Sequence, residues 1–528
     1  MEALKKLPLF KIGLAAFSGL LMLLSFSLPK GIILTPVAWF CLAPLIVSLK
    51  DTRPRYAFLL GFLAGVVGCF GIYYWIPYCM INYANMSRAI AYFALLLLVL
   101  MLACFVGVFA WLTRWLETRS AFPPIFFGPM VWVSLEYLRT YFPLGGFPWA
   151  LLGGSQYKFL PLIQISEAGG VYIVSWLVAL VNFGIAGIFK NWPPEKKEWQ
   201  ALGFSLACFA MVVVFGSLRI RQIDEYFREK PELKVAIVQG NIDQGVKWNR
   251  EYFWSSMVRH IELSKELLKE PKDLLVWPEA AVTTNFNVSW QEKDSLAQAL
   301  SIFDTYFLFG GIYKQESRGR TQYYNSAFLL APGGAELLGH YSKMHLVPFG
   351  EYVPMKKLLF WVDAIAGGNT GDTDPGKELM VFETPKFRIA CVICYELIFP
   401  NQVRKFVKAG AQVMSTITND AWFGPTSAPW QHHSNMVFRA VENRVYFIRA
   451  ANTGVSSICD PCGRVLTHDG IYEVARLKGT VKPSDYLTLY TRFGDWFCWL
   501  NLCLTIPLLA FILFRKQKPE FGGTNVDK

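Results

Sequence analysis

Three short segments carry residue types that together can perform acyl-transfer chemistry. The first, Leu274-Leu275-Val276-Trp277-Pro278-Glu279, is an apolar strand pattern ending at a carboxylate. Proline has no N–H to donate, so it stops the ladder and projects Glu279 beyond the sheet edge. The second runs from Tyr341 to Glu351 and reads YSKMHLVPFGE, with Lys343 near its start. In the third, Ile389 to Ile393 runs straight into Cys394-Tyr395-Glu396, followed by Pro400 and a helical pattern. That order describes a strand-to-helix elbow presenting a thiol. Taken singly, a strand-end glutamate and a lone lysine read as solvated charges. Taken together, they define a mechanism. A cysteine nucleophile needs a base to remove its proton and a cation or donor to hold the tetrahedral oxyanion. Glu279 fits the base and Lys343 the cation. A nearby ammonium also favours the thiolate, and the backbone N–H of Tyr395 is a natural second oxyanion donor.

These residues need a sheet to hold them. Short β-branched runs at Lys234 to Gln239, Leu274 to Trp277, Phe307 to Gly311, Ser326 to Ala331, Phe387 to Ile393 and Gln412 to Ile417 alternate with helical stretches. An α/β layered sandwich is expected. Two CxxC pairs, Cys391/Cys394 and Cys459/Cys462, would in isolation suggest a zinc ribbon. The first pair falls in a strand pattern, where alternate side chains point to opposite faces, and the second reads as a turn, so no metal site is expected. The other cysteines are scattered, without a disulfide framework.

The chain has 528 residues, 53% of them hydrophobic, more than one ordinary soluble domain shows. Apolar runs are read as transmembrane helices at Phe10 to Leu28, Ile32 to Leu49, Ala57 to Tyr78, Ala89 to Leu112, Phe122 to Tyr137, Val171 to Phe189, Ala201 to Leu218 and Trp496 to Phe514. The reading is therefore a membrane α-helical bundle of about eight helices plus the α/β domain: residues 1–218 bundle, 219–490 catalytic domain, 491–528 final helix and tail. The net charge of +12 gathers in short loops beside apolar segments, which reads as topology and not as nucleic-acid binding. Lys50, Arg53 and Arg55, then Arg114 and Arg119, then Lys190, Lys196 and Lys197, and finally Arg515, Lys516 and Lys518 mark the cytoplasmic loops and tail. With eight spans both termini lie inside and the large domain lies outside. Trp75 and Trp149, near helix ends, are expected in the interfacial belt, and Glu136 is expected to pair with Arg139. His432, beside His433, reads as structural or pocket-lining, because Glu279 already supplies a base.

The three segments, with VAIVQGNIDQGVKW from Val235 to Trp248, CYELIFP from Cys394, NDAWFG from Asn419, Trp430-Gln431-His432, Asn452-Thr453-Gly454 and Gly146-Phe147-Pro148-Trp149, resemble the nitrilase superfamily. More closely, they resemble its membrane-embedded branch, the apolipoprotein N-acyltransferase family. The resemblance implies an α-β-β-α sandwich with Glu279 as general base, Lys343 stabilising the intermediate and Cys394 as nucleophile. It makes Glu351 a second essential carboxylate, with Trp248, Tyr395 and Glu396 at other important positions. It further implies a phospholipid acyl donor, a thioester intermediate, a diacylglyceryl-cysteine lipoprotein acceptor, no cofactor, and residence in the bacterial inner membrane with the domain on the periplasmic face. A monomer is expected. A membrane-tethered amidase, in which water resolves the acyl-enzyme, would use the same triad; a transporter or scaffold with a dead domain would show broken paired helices or a lost triad member. The segment Met355 to Val362, with Leu358, Leu359, Phe360 and Trp361 beside Lys356 and Lys357, is expected to form a membrane-dipping lid.

Overall fold

The computed structural model describes residues 8–84, 86–247, 250–317, 319–352 and 373–514. Trp248 and the expected lid, including Leu358 to Trp361, lie outside the described residues.

Among the described residues five helices are long and apolar enough to cross a membrane: α2 (Pro54–Ile72), α3 (Arg88–Arg119), α5 (Val171–Lys190), α6 (Lys196–Arg228) and α11 (Trp496–Phe514). The shorter α1 (Leu9–Leu24) and α4 (Pro124–Tyr141) pack among them. The expected span Ile32 to Leu49 is not one helix. It breaks into a 3-10 turn, Thr35–Trp39, and a short helix, Ala43–Ser48, each with a proline, Pro36 or Pro44, near its start. Breaking a helix in an apolar setting frees backbone groups that need partners. Asn182 of α5 supplies them: its Oδ1 accepts from the N–H of Leu42 (2.8 Å) and Ala43 (3.1 Å), and its Nδ2 donates to Ala38 O (2.9 Å). Helices α2 and α3 meet through small residues, as membrane helices do. A Cβ on Gly61 would stand 2.5 Å from Val106 O, and one on Gly65 2.7 Å from Ala103 Cα.

Between α6 and α11 the chain forms two six-stranded sheets, in the orders β12-β1-β2-β3-β4-β5 and β11-β10-β9-β8-β7-β6. The strands of the first are β1 (Leu233–Gln239), β2 (Leu274–Val276), β3 (Tyr306–Ser317), β4 (Arg320–Leu330), β5 (Leu337–Ser342) and β12 (Ala475–Val481). Those of the second are β6 (Val381–Glu383), β7 (Arg388–Ile393), β8 (Val413–Thr418), β9 (Tyr446–Ala451), β10 (Ser457–Cys459) and β11 (Val465–His468). The six expected strands are all present. The other six escaped notice because they are short or carry polar residues such as His340, Arg449 and Thr467.

Period-two alternation sorts the side chains of β1. Val235 and Ile237 share a core with Ile389, Phe447 and Ile458 of the second sheet. Ala236 and Val238 face outward onto Met257 of α7 (Arg250–Leu267). On the other side α8 (Pro400–Lys408) and α9 (Ala428–Asn443) cover the second sheet, which completes an α-β-β-α sandwich. β12 pairs antiparallel with β1, Leu233 opposite Val481, so the first and last strands of the domain lie side by side.

Candidate active site

Glu279 follows β2 and is 5% exposed. Its Oε1 accepts from Asn325 Nδ2 (2.8 Å) and its Oε2 from the backbone N–H of Asn419 (2.8 Å). Ala280, just after it, has φ +47°, a left-handed backbone that costs a non-glycine residue energy and recurs at functional turns. Gly310 of β3 is the reason the turn fits, since a Cβ there would lie 2.7 Å from Glu279 Cα.

Lys343 leaves β5 and is 1% exposed. Its Nζ lies 2.8 Å from Glu351 Oε1 and 3.5 Å from Glu279 Oε1. Burial disfavours the ammonium, but these two carboxylates outweigh it and hold the pKa above the ordinary lysine value. Glu351 is fixed in turn, its Oε2 accepting from Val347 N (2.8 Å). Asn325 of β4 closes the cluster by donating to Glu279 Oε1 and also to Glu351 Oε1 (3.1 Å). Nothing in the sequence around Asn325, a polar stretch of β4 between Tyr324 and Ser326, marked it as part of the site.

Cys394 is 7% exposed and has φ +52°, the strained elbow expected where a strand turns into a helix. Burial raises its thiol pKa, Glu279 adds to the rise and Lys343 opposes it, so the resting group is neutral near pH 7. Cys391 packs inside β7 and is fully buried. Among the described residues one cluster has metal-ligand proximity, Asp224, Asp460 and Cys462. Arg464 already bridges both of its carboxylates, at 2.7 and 2.9 Å.

Glu396 is fully buried, and its carboxylate accepts five donors: Tyr341 Oη (2.7 Å), Met344 N (2.7 Å), His345 N (3.1 Å), Gln402 Nε2 (2.6 Å) and Ile393 N (2.8 Å). It ties the thiol elbow to the loop that carries Lys343. Tyr395 points the other way, its hydroxyl reaching Gly146 O of the bundle (3.4 Å).

Behind the elbow lies a second polar cluster. His432 Nε2 donates to the carbonyl of Cys394 (3.0 Å), and its Nδ1 lies between Asp420 Oδ1 (3.0 Å) and Arg449 Nη2 (3.1 Å). Burial and Arg449 lower its pKa against the pull of Asp420. Burial would raise the Asp420 carboxyl, but Arg449 and His432 hold it below the usual range. Trp149 stacks on His432, ring centres 5.5 Å apart, and both Trp149 and Trp75 donate to Gln431 Oε1 (2.9 and 3.3 Å). Both tryptophans are buried, so neither belongs to an interfacial belt. They are the seam between bundle and domain. Glu136, expected to pair with Arg139, instead accepts from Leu152 N (2.7 Å), while Arg139 donates to Trp149 O and Ala150 O. Lys247 also reaches the site, donating to Glu279 O (2.9 Å); burial lowers its pKa to about 8.

The arrangement sets a carboxylate, a charged ammonium and a neutral thiol around one water-poor site. Comparisons with known proteins agree with this architecture. Residues 234–472 match the carbon-nitrogen hydrolase family model, and residues 18–184 match the apolipoprotein N-acyltransferase N-terminal domain. The chain is 38% identical to an apolipoprotein N-acyltransferase of Geobacter metallireducens, over 96% of this chain and 95% of that protein. It is 30% identical to one of Rickettsia typhi, over 97% of each. Among solved structures, the nitrilase-superfamily protein Nit3 of Saccharomyces cerevisiae aligns with 48% of this chain and 90% of its own, at 19% identity and a TM-score of 0.36. With near full-length identity of this order, the chain belongs to the apolipoprotein N-acyltransferase family.

Proposed function

We propose that this protein moves an acyl chain from a membrane phospholipid to the α-amino group of a lipoprotein's amino-terminal diacylglyceryl-cysteine, through a thioester on Cys394. The observation that carries the reading is the neutral buried thiol beside a carboxylate and an ammonium held by two acids. Glu279 takes the thiol proton as sulfur attacks the ester carbonyl. Lys343 and the Tyr395 N–H hold the oxyanion. Collapse expels the lysophospholipid alkoxide, which leaves with the proton from Glu279. The acceptor amine then attacks the thioester, Glu279 takes a proton from nitrogen, and the thiolate departs and recovers that proton. A thioester retains enough acyl reactivity to make an amide without ATP.

Both substrates are lipids, which gives the bundle its purpose. In this reading the bundle spans the bacterial inner membrane, residues 219–490 face the periplasm, both termini are cytoplasmic, and a monomer suffices. Glu351 and Glu396 position Lys343 and the elbow.

The test is a two-step incubation. Phospholipid with a labelled acyl chain should give a hydroxylamine-labile protein adduct, and added diacylglyceryl-cysteine peptide should discharge it as N-acyl peptide. Discharge as free fatty acid alone, with peptide present, would instead identify a hydrolase of the amidase kind.

A further inference from the structure

A groove of about 590 Å3 runs along the outside of the bundle between α4 and α11, far larger than a packing defect and within the range of ligand pockets. Its walls include Val131, Leu138, Leu502 and Ile506, and Tyr141 and Trp499 stand at one end. From Tyr141 down to Val131 the α4 wall covers ten residues, about 15 Å at 1.5 Å per residue, or half of a ~30 Å hydrocarbon core. That is the depth of a single leaflet.

The Tyr141 end opens onto α8 through Asn401, which also lines the groove. Asn401, Lys405 and Lys408 fall at i, i+4 and i+7, one face of that helix. Arg404 fastens this helix to α10 (Leu489–Phe493) by donating to Asn401 Oδ1 (2.8 Å) and Thr491 O (2.9 Å). Lys408 donates to Arg492 O (3.4 Å), so Arg492 joins the same surface. Lys405, Lys408 and Arg492 are exposed, and among the described residues no carboxylate forms an ion pair with them. The nearby acid, Asp495, is buried and occupied by the hydroxyls of Tyr141 (2.9 Å) and Tyr490 (3.0 Å). Exposed Phe493, Leu489 and Trp496 stand among these cations, the mixture of aromatic, aliphatic and basic groups that settles at a membrane interface.

We propose that this groove and its basic mouth form a binding site for one anionic phospholipid, with an acyl chain along α4 and α11 and the phosphate at Lys405, Lys408 and Arg492. The groove lining includes none of Glu279, Lys343, Glu351 and Cys394, and the test of the site reads binding alone. Charge selects the occupant: a zwitterionic lipid fills the groove equally well but gains less at three unpaired cations.

The full-length protein is reconstituted in phosphatidylcholine vesicles containing a little phosphatidylglycerol with a diazirine at the end of one acyl chain. After photolysis, labelled peptides are mapped by mass spectrometry. Labelling of α4 and α11 should exceed that of Phe204, Met211 and Val214, lipid-facing residues of α6. The triple variant Lys405→Gln, Lys408→Gln, Arg492→Gln should lower the α4 and α11 labelling ~10-fold or more, since each basic group near an anionic lipid contributes measurably, and leave α6 unchanged. Ile506→Trp, which fills the groove and keeps the cations, should lower it too. Equal labelling of all three helices, equal labelling by a phosphatidylcholine probe, or indifference to the triple variant would each overturn the site.

Discussion

The two sides of Cys394 are built in opposite ways. In front, Glu279, Lys343 and Glu351, joined by the Asn325 amide, form a charged cluster supplied by the ends of β2 and β5, the middle of β4 and the loop after β5. Behind, His432, Asp420 and Arg449 hold the carbonyl of the same residue, and the rings of Trp149 and Trp75 brace them from the membrane bundle. In the proposed reaction the front side sets where protons and negative charge go. The back side sets where the sulfur points, against a backbone at φ +52° that would relax if released. The difference teaches that reactivity and aim come from different parts of the chain, one from the sandwich alone and one from its seam with the bundle.

The largest effect should come from the nucleophile. Cys394→Ala should abolish the hydroxylamine-labile adduct and lower transfer by ~1,000-fold or more, as loss of a nucleophile does, while Cys391→Ala leaves the adduct forming. Equal loss in a well-folded Cys391→Ala protein would break the assignment. On the front side, Lys343→Arg keeps the charge but not the compact ammonium between two acids, and acylation should fall by ~100-fold. Full activity in that variant would remove Lys343 from the oxyanion role.

Glu279→Gln separates base from shape. Because burial is the largest cause raising the Cys394 pKa and the substitution leaves it in place, the thiolate fraction should grow ~10-fold per pH unit and keep growing above pH 9. Acylation by the Glu279→Gln variant should climb with pH in the same way, followed as single-turnover adduct formation; a flat profile would deny Glu279 the base role. On the back side, His432→Ala should slow acylation by ~10- to 100-fold, roughly one lost hydrogen bond plus a relaxed elbow, with His432→Gln recovering much of it through its own N–H donor. A purely structural His432 would show both variants equally active at matched thermal stability. The smallest effect is Trp149→Phe, which keeps the stacked ring and removes one donor to Gln431. It should cost about 1 kcal/mol of stability and a few-fold in rate.

How far the sequence could be read follows the same division. Glu279, Lys343 and Cys394 were legible because all three stand in short, recognisable motifs, two of them at the end of an apolar run. Their partner Asn325 was not, because an amide inside a strand announces no chemistry until Glu279 and Glu351 are placed beside it. Glu396 stood in a readable motif, but its role depends on Tyr341, Met344 and Gln402, which only the fold assembles. The back side was least legible. Trp149 and Trp75 look like belt residues by position, and only tertiary contact with Gln431 turns them inward. In the bundle, the apolar run from Ile32 to Leu49 satisfied the length rule for a span, while Pro36, Pro44 and the distant Asn182 made a broken segment the better solution.

The pairing of β1 with β12 has a consequence for ancestry and for design. Leu233 and Val481 face one another, so the sandwich starts and finishes at nearly the same point in space. A unit whose ends meet can be spliced into a loop of a host without stretching either partner. The chain thus has the form of a cassette set into a membrane scaffold, and the sandwich can be removed between α6 and α11 as one unit. Such a deletion should still insert into the bilayer, while the excised sandwich, closed by a linker across its own ends, would lack the tryptophan brace and give a folded but poorly aimed thiol.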